Sequence, residues 1–325
     1  MKRALFILFG AGMAFCVMSP LPVLSQAYPT KPVRVVVPYP PGGAPDLVTR
    51  LIAQKISVPL GQSVVVENRA GASSIIGAEN VARSAPDGYS ILLGTTTTHV
   101  TNMLLIKKLP YDAFKDFTPI SAVLEPITSL VVHPSLPANS VLELIEYARR
   151  NPGKISYSST GVGSVFHLAG EIFNLVAGVD MVHVPYKGAV PALVDNIAGR
   201  IDVSYAALGN VLPHVRAGKL KMLAVLEGTR VASLPEVPTV KESVPSFEKP
   251  SGWYAFFGPA GLPLPIVSRL NAEIVKVLHT PDVRSGLEAN AQLVIASSPA
   301  ELAALMKRTY ETFVKAIEVA GLKPE

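Results

Sequence analysis

VRVVVPYPPGGAPDLVTRLIAQKI, residues 33–56, decides the fold. Its first five positions are valine except for Arg34, with little polar alternation, which predicts a strand buried on both faces of a parallel sheet. Pro40, Pro41, Gly42 and Gly43 then impose a turn. Beyond the turn Leu47, Val48, Leu51, Ile52 and Ile56 recur at helical spacing, with Asp46 at or near the N-cap. The pattern repeats as a strand at 63–67, a glycine-rich turn at 68–74, a helix at 75–83 and a strand at 89–94. Strands alternating with helices at this spacing indicate βαβ units and an α/β fold built on a doubly wound parallel sheet.

From about Thr118 the alternation restarts. Strands are expected at 129–133, 155–157, 182–185, 201–205 and 220–225, with helices at 141–150 and 165–176. No low-complexity linker separates the halves, so the restart reads as a second α/β lobe joined by short crossovers. Residues 235–265 are dense in Pro and Gly and carry the only tryptophan, Trp253; they are read as the chain returning to the first lobe. The tail offers helices at 265–279 and 299–320 with a short strand at 292–295 between them. The expected organisation is residues 28–127 with 250–325 in the first lobe and 128–249 in the second. Each lobe is expected to be a mostly parallel sheet flanked by helices.

The amino terminus reads as an export signal. Lys2 and Arg3 precede an apolar run from Ala4 to Val17, and Ser25-Gln26-Ala27 offers a small-x-small cleavage site, so cleavage is expected near Ala27. The apolar run is shorter than the roughly 20 residues of a membrane span. Cys16, the only cysteine, lies in that segment after Phe15, which is not the small residue of a lipoprotein signal. A mature chain without thiols excludes a disulfide framework, a cysteine nucleophile and cysteine-ligated metal. The signal carries two of the +5 formal charges and no acid, so 5 − 2 leaves +3 on the mature chain. That is too mild and dispersed for nucleic acid, which wants clustered Lys and Arg, but suits an anionic small molecule.

Two loops carry the chemistry. Residues 39–46 connect a buried strand to a helix start, where glycine allows close backbone approach and unpaired N–H groups with a positive dipole end suit a carboxylate or phosphate. Ser158 to Ser164 repeat the device in the second half, so loops at the carboxyl ends of strands in two lobes are expected to face each other across a cleft. Thr95 to His99 form a polar run that could line the same cleft, with Thr96 and His99 as candidates, although threonine runs also pack at strand ends. Asp202 reads either as a core cap or as a cleft-facing carboxylate. The dinucleotide and Walker glycine signatures are absent, as is G-x-S-x-G, and six histidines form no H-x-x-x-H pattern. No cofactor, metal or catalytic residue is therefore expected.

These residues together resemble a known family, the substrate-binding proteins of tripartite tricarboxylate transporters, also called the Bug family. The resemblance rests on Val35 to Asp46 with its Pro-Gly-Gly-x-x-Asp turn, Glu67-Asn68-Arg69-x-Gly71, Ile76-Gly77-Ala78-Glu79 leading to Ala85-Pro86-Asp87-Gly88-Tyr89, Leu109-Pro110-Tyr111-Asp112 with Lys115-Asp116-Phe117, and His183 to Gly188. It implies a periplasmic-binding-protein (Venus flytrap) architecture without catalysis, a monomer that clamps a small carboxylate-bearing solute and delivers it to membrane permease subunits. By the same resemblance Tyr39, Pro41, Gly42, Gly43 and Asp46 would form one ligand wall, with Asp46 setting specificity. Thr160, Gly161, Gly163, Ser164 and His167 would form the other. The family usually has more glycine after Gly71; here Ala72-Ser73-Ser74 would put hydroxyls, Ser74 among them, at the cleft floor. Two further readings remain open: a ligand sensor feeding a signalling system, and a secreted α/β hydrolase, for which no nucleophile and base spacing is present.

Overall fold

The structure, a computed structural model, describes residues 28–319 and 321–324. The expected export signal and its cleavage site lie outside the described residues. Among the described residues eleven strands form two sheets. In chain order they are β1 (Val33–Val37), β2 (Val64–Asn68), β3 (Ser90–Thr95), β4 (Phe117–Pro126), β5 (Thr128–Val132), β6 (Ser156–Ser159), β7 (Val182–Pro185), β8 (Val203–Ala207), β9 (Lys221–Val225), β10 (Tyr254–Pro259) and β11 (Gln292–Val294). The first sheet has the order β11-β4-β10-β3-β1-β2 and the second β7-β6-β8-β5-β9.

β1 lies between β2 and β3, parallel to both, and its valines are buried while Arg34 reaches Glu67. That accounts for the unalternating valine run: a strand covered on both faces has no side that favours polar residues. The sheets are mixed: most strands of each run one way, but antiparallel strands are set among them. β10 runs antiparallel to β3 and β4, and β5 runs antiparallel to β8 and β9. The reason is the route of the chain. β5 and β10 each bring it across from the other sheet, so each enters its new sheet from the edge at which the parallel strands end. Between β4 and β5 only Ile127 intervenes.

Helices cover both sheets. Ala44–Leu60 packs Ile52 and Ile56 against the β1 and β3 core, and the Leu264–Leu278 helix closes the same side through Leu270 and Ile274. The second sheet is covered by Val141–Arg150, whose N-cap Ser140 accepts from the Glu143 N–H, and by Val165–Ala177. Trp253, just before β10, is fully buried with Leu105, Phe257 and Phe313, and its Nε1–H donates to Thr309 Oγ1 at 3.1 Å. Leu168 of the Val165–Ala177 helix joins this cluster, so apolar packing runs from one sheet's layer into the other's. Among the described residues no helix is long and apolar enough to cross a membrane.

Candidate functional site

Parallel strands carry their carboxyl ends to one edge of a sheet. In the first sheet that edge gathers the loops after β1, β2 and β3; in the second, those after β6, β7 and β8. The two edges meet: a Cβ added to Gly163, after β6, would lie 2.8 Å from Thr101 Cγ2 and against Leu105 Cδ1, both on the segment after β3.

The β1 loop is fastened by Asp46. Gly42 sits at φ +83° and its N–H donates to Asp46 Oδ2 at 2.8 Å. Arg50 Nε donates to the same oxygen at 3.0 Å, and Asn68 Nδ2 donates to Oδ1 at 2.8 Å. Asn68 also reaches the Tyr39 carbonyl oxygen, while Tyr39 Oη pairs with Thr95 Oγ1 at 2.6 Å. Burial opposes ionisation of Asp46, but the bonds from Arg50, Gly42 and Asn68 outweigh it and hold the carboxyl below its ordinary value.

The β6 loop is fastened in the same way by a different side chain. Gly163, at φ +74°, donates its N–H to His167 Nδ1 at 3.1 Å. Ser164 caps the helix, its Oγ accepting from the His167 N–H, and Ser159 Oγ accepts from the Gly161 N–H. Nδ1 accepts from Gly163, which leaves Nε2 as the nitrogen facing Glu171 Oε1 at 3.6 Å. Tyr157 Oη–H donates to that same carboxylate oxygen. His183 stacks on His167 with centroids 3.7 Å apart and shares a 2.7 Å hydrogen bond with Ser159. Burial, reinforced by the neighbouring His167, pulls His183 down to about 4 despite Glu171, so it is neutral near pH 7.

Both loops are thus built alike. A left-handed glycine has its N–H fixed by the side chain four residues on, and a helix begins immediately after. Ala44 in one loop, and Thr160 and Val162 in the other, have N–H groups without an acceptor among the described residues. Two helix starts with free donors and positive dipole ends suit an anion with a charge at each end.

The turn after β2 adds an unusual element. Ala72, Ser73 and Ser74 all lie at positive φ (45°, 52° and 71°), which non-glycine residues adopt at a cost of roughly 1–2 kcal/mol each. Asn102 Nδ2 anchors the turn through the Ser73 carbonyl at 2.9 Å. Ser73→Gly is expected to raise unfolding stability by about 1 kcal/mol, since glycine removes the steric cost but is itself more flexible when unfolded. Chemical denaturation measures it; an unchanged or lower stability would show the turn to be unstrained.

Several expected site residues are placed differently. His99 is fully buried, stacked on Phe257 at 3.8 Å and paired with Thr98, and burial pulls it down to about 3. It belongs to the core. Thr96 is also buried, accepting from the Trp253 N–H at 3.0 Å and so tying β3 to β10. Asp202 receives the Ser156 N–H and Oγ–H at the amino ends of β6 and β8, the edge opposite the loops, so it is a strand cap. Asp46 is 2% exposed with both oxygens occupied, and His167 is 3% exposed; each points into its loop. Tyr39, Pro41, Gly42, Gly43, Ser74, Thr160, Gly161, Gly163 and Ser164 lie on or beside the facing loops. Sequence reading missed the concavity that Ser159 and Thr160 share with Ala189, Ala207 and Asn210. Gly188, at φ +116° before a helix, was the available signal for this third loop. Among the described residues no cluster of three or more His, Cys, Asp or Glu is placed to hold a metal ion.

Two α/β lobes with mixed sheets whose helix-start loops face each other make a periplasmic-binding-protein fold. The model of the tripartite tricarboxylate transporter family receptor (TctC) matches residues 48–322. BugT of Bordetella pertussis is 33% identical over 304 residues, covering 93% of each chain. Among solved structures, R. palustris Rpa4515 with adipate has a TM-score of 0.85 at 35% identity, covering 92% of this chain and 100% of that one. MatC from Rhodopseudomonas palustris with bound malate has 0.79 at 32%, covering 89% and 100%. The chain belongs to the TctC family of periplasmic solute-binding proteins, and its role is binding, not catalysis.

Proposed function

We propose that this receptor captures a small solute with at least one carboxylate, most simply a dicarboxylate, and presents it to the membrane subunits of a tripartite tricarboxylate transporter. The observation that carries the reading is the pair of facing helix starts, each with a left-handed glycine fastened by the side chain four residues on. Adipate and malate, held by the two Rhodopseudomonas relatives, each carry two carboxylates. A donor set made of backbone N–H groups and small hydroxyls is indifferent to what joins the two ends, so chain length and substituents are read elsewhere, in our view by the Ala189, Ala207 and Asn210 side of the second lobe.

The lobes would comprise residues 28–127 with 250–325 and residues 128–249, and export would remove residues 1–27. Solute touching both lobes favours the closed arrangement by its differential affinity for it. The test is thermal shift of the exported protein with adipate, malate, a monocarboxylate and a diamine. A solute at a hundred times its dissociation constant stabilises the folded state by about 2.7 kcal/mol. Stabilisation by diacids and none by the diamine is expected. A diamine response, or no response to any acid, would overturn the carboxylate reading.

A further inference from the structure

The chain passes from one sheet to the other at Ile127 and back along residues 248–253. Ile127 is bound on both sides: its N–H donates to the Ala291 carbonyl oxygen beside β11, and its own carbonyl accepts from the Leu208 N–H after β8. Beside it lies a charged cluster drawn from three segments. Lys249 Nζ is 3.0 Å from Glu125 Oε1 and 2.6 Å from Glu227 Oε1. Glu125 is in β4, where it pairs in register with β11, and it also accepts the Gly252 N–H at 3.1 Å. Glu227 follows β9 and accepts the N–H of Thr128, the first residue of β5, at 3.0 Å. Lys249 itself lies between Phe247, buried in the second sheet's core, and Trp253, buried in the first's.

The side chains are nearly out of solvent: 10% exposed for Lys249, 9% for Glu227 and 20% for Glu125. Burial pulls the Lys249 ammonium down, but the two carboxylates outweigh it and hold it above its ordinary value, so it stays charged. Among the described residues Glu227 Oε2 is buried without a hydrogen-bond partner, and one ammonium faces two carboxylates.

We propose that Lys249 is a positioning residue for the receptor's movement: it couples the two crossings so that one arrangement of the lobes is favoured before any solute binds. Glu125 moves with the first sheet and Glu227 with the second. An ammonium bonded to both keeps its contacts over a narrow range of lobe angles, and separating buried charges is costly. Without it, two carboxylates of like charge are left facing each other across the hinge.

The test needs no solute, so its failure is distinct from failure of the carboxylate assignment. Spin labels at Val58→Cys and Leu142→Cys, positions 84% and 56% exposed on helices of the two lobes, report lobe separation in the Cys16→Ser background. In Lys249→Met the distance distribution should broaden and shift relative to the parent, and Lys249→Arg should restore it. Glu227→Gln keeps an acceptor for Thr128 but weakens the ion pair, and should shift the distribution in the same direction if Lys249→Met does not fold. Distributions superposing on the parent, even with lowered melting temperature, would reduce the cluster to a structural ion pair and overturn the proposal.

Discussion

Asp46→Ala is expected to weaken binding of every acid that the cleft accepts, by roughly ten- to a hundredfold, instead of exchanging one solute for another. The reason is where the carboxylate points. Its oxygens accept from the Gly42 N–H, Arg50 and Asn68 and face no open space, so removal leaves the Gly42 N–H without an acceptor, takes one bond from each of Arg50 and Asn68, and releases the loop. Charge-assisted bonds of this kind are worth about 1.5–3 kcal/mol each; with Arg50 half exposed and screened, an overall loss of about 2–4 kcal/mol in stability is expected. Asp46→Asn should recover part of both, because an amide oxygen can still accept from Gly42. The acid limb of the stability curve gives a second reading. A carboxyl lowered on folding contributes stability that is in place above its unfolded value of about 3.9 and is lost as pH falls through the lower folded value. The Asn variant should therefore lose less stability than the parent as pH falls below about 4. Calorimetry with the acid that raises the melting temperature checks the first expectation; a switch in solute preference at undiminished affinity would return Asp46 to the ligand wall.

Gly163→Val is expected to abolish measurable binding while far-ultraviolet circular dichroism stays native. Two effects coincide there. The residue sits at φ +74°, which costs a β-branched side chain about 1–3 kcal/mol. Its Cβ would also press on Thr101 and Leu105 of the opposite lobe, so the strain falls on the seam that must close. Gly161→Val separates the two effects. That glycine is also at positive φ, but its Cβ would come no nearer than 3.5 Å to the Tyr186 carbonyl oxygen. It should cost stability with a smaller loss of affinity. Equal affinities for the two variants would show that the β6 loop does not close against the first lobe.

The parts of the fold that local chemistry specifies were legible in the sequence: the valine run of β1, the glycine turns, and the helices with clear apolar spacing. β4 and β10 were not. Phe117–Pro126 includes Pro119, Ser121 and Glu125, and Tyr254–Pro259 lies inside a stretch dense in Pro and Gly, so neither shows strand periodicity. Both are stabilised by pairing with each other across more than a hundred residues, which no local pattern records. His99 fails for a related reason. A threonine run ending in histidine looks like a polar loop, yet Thr98 Oγ1 satisfies the Thr95 backbone locally and the imidazole stacks on Phe257. Asp46 and His167 were found as important positions with the wrong orientation, because residue type and spacing do not say whether a side chain faces a ligand or its own loop.

The placement of β10 between β3 and β4 also sets an order in time. All strands of the second sheet lie within residues 128–225, whereas the first sheet remains in two pieces until a strand beginning at residue 254 arrives to join them. Loop closure over that distance is slow compared with closure inside the second lobe. In a chain that begins to fold as it emerges from export, the second lobe should acquire hydrogen-exchange protection first, and pulse labelling that found β1 and β3 protected before β6 and β8 would contradict this. The half of the binding cleft nearest the amino terminus is then the last to be assembled, so the receptor gains its grip on a solute only once nearly its whole length has been delivered.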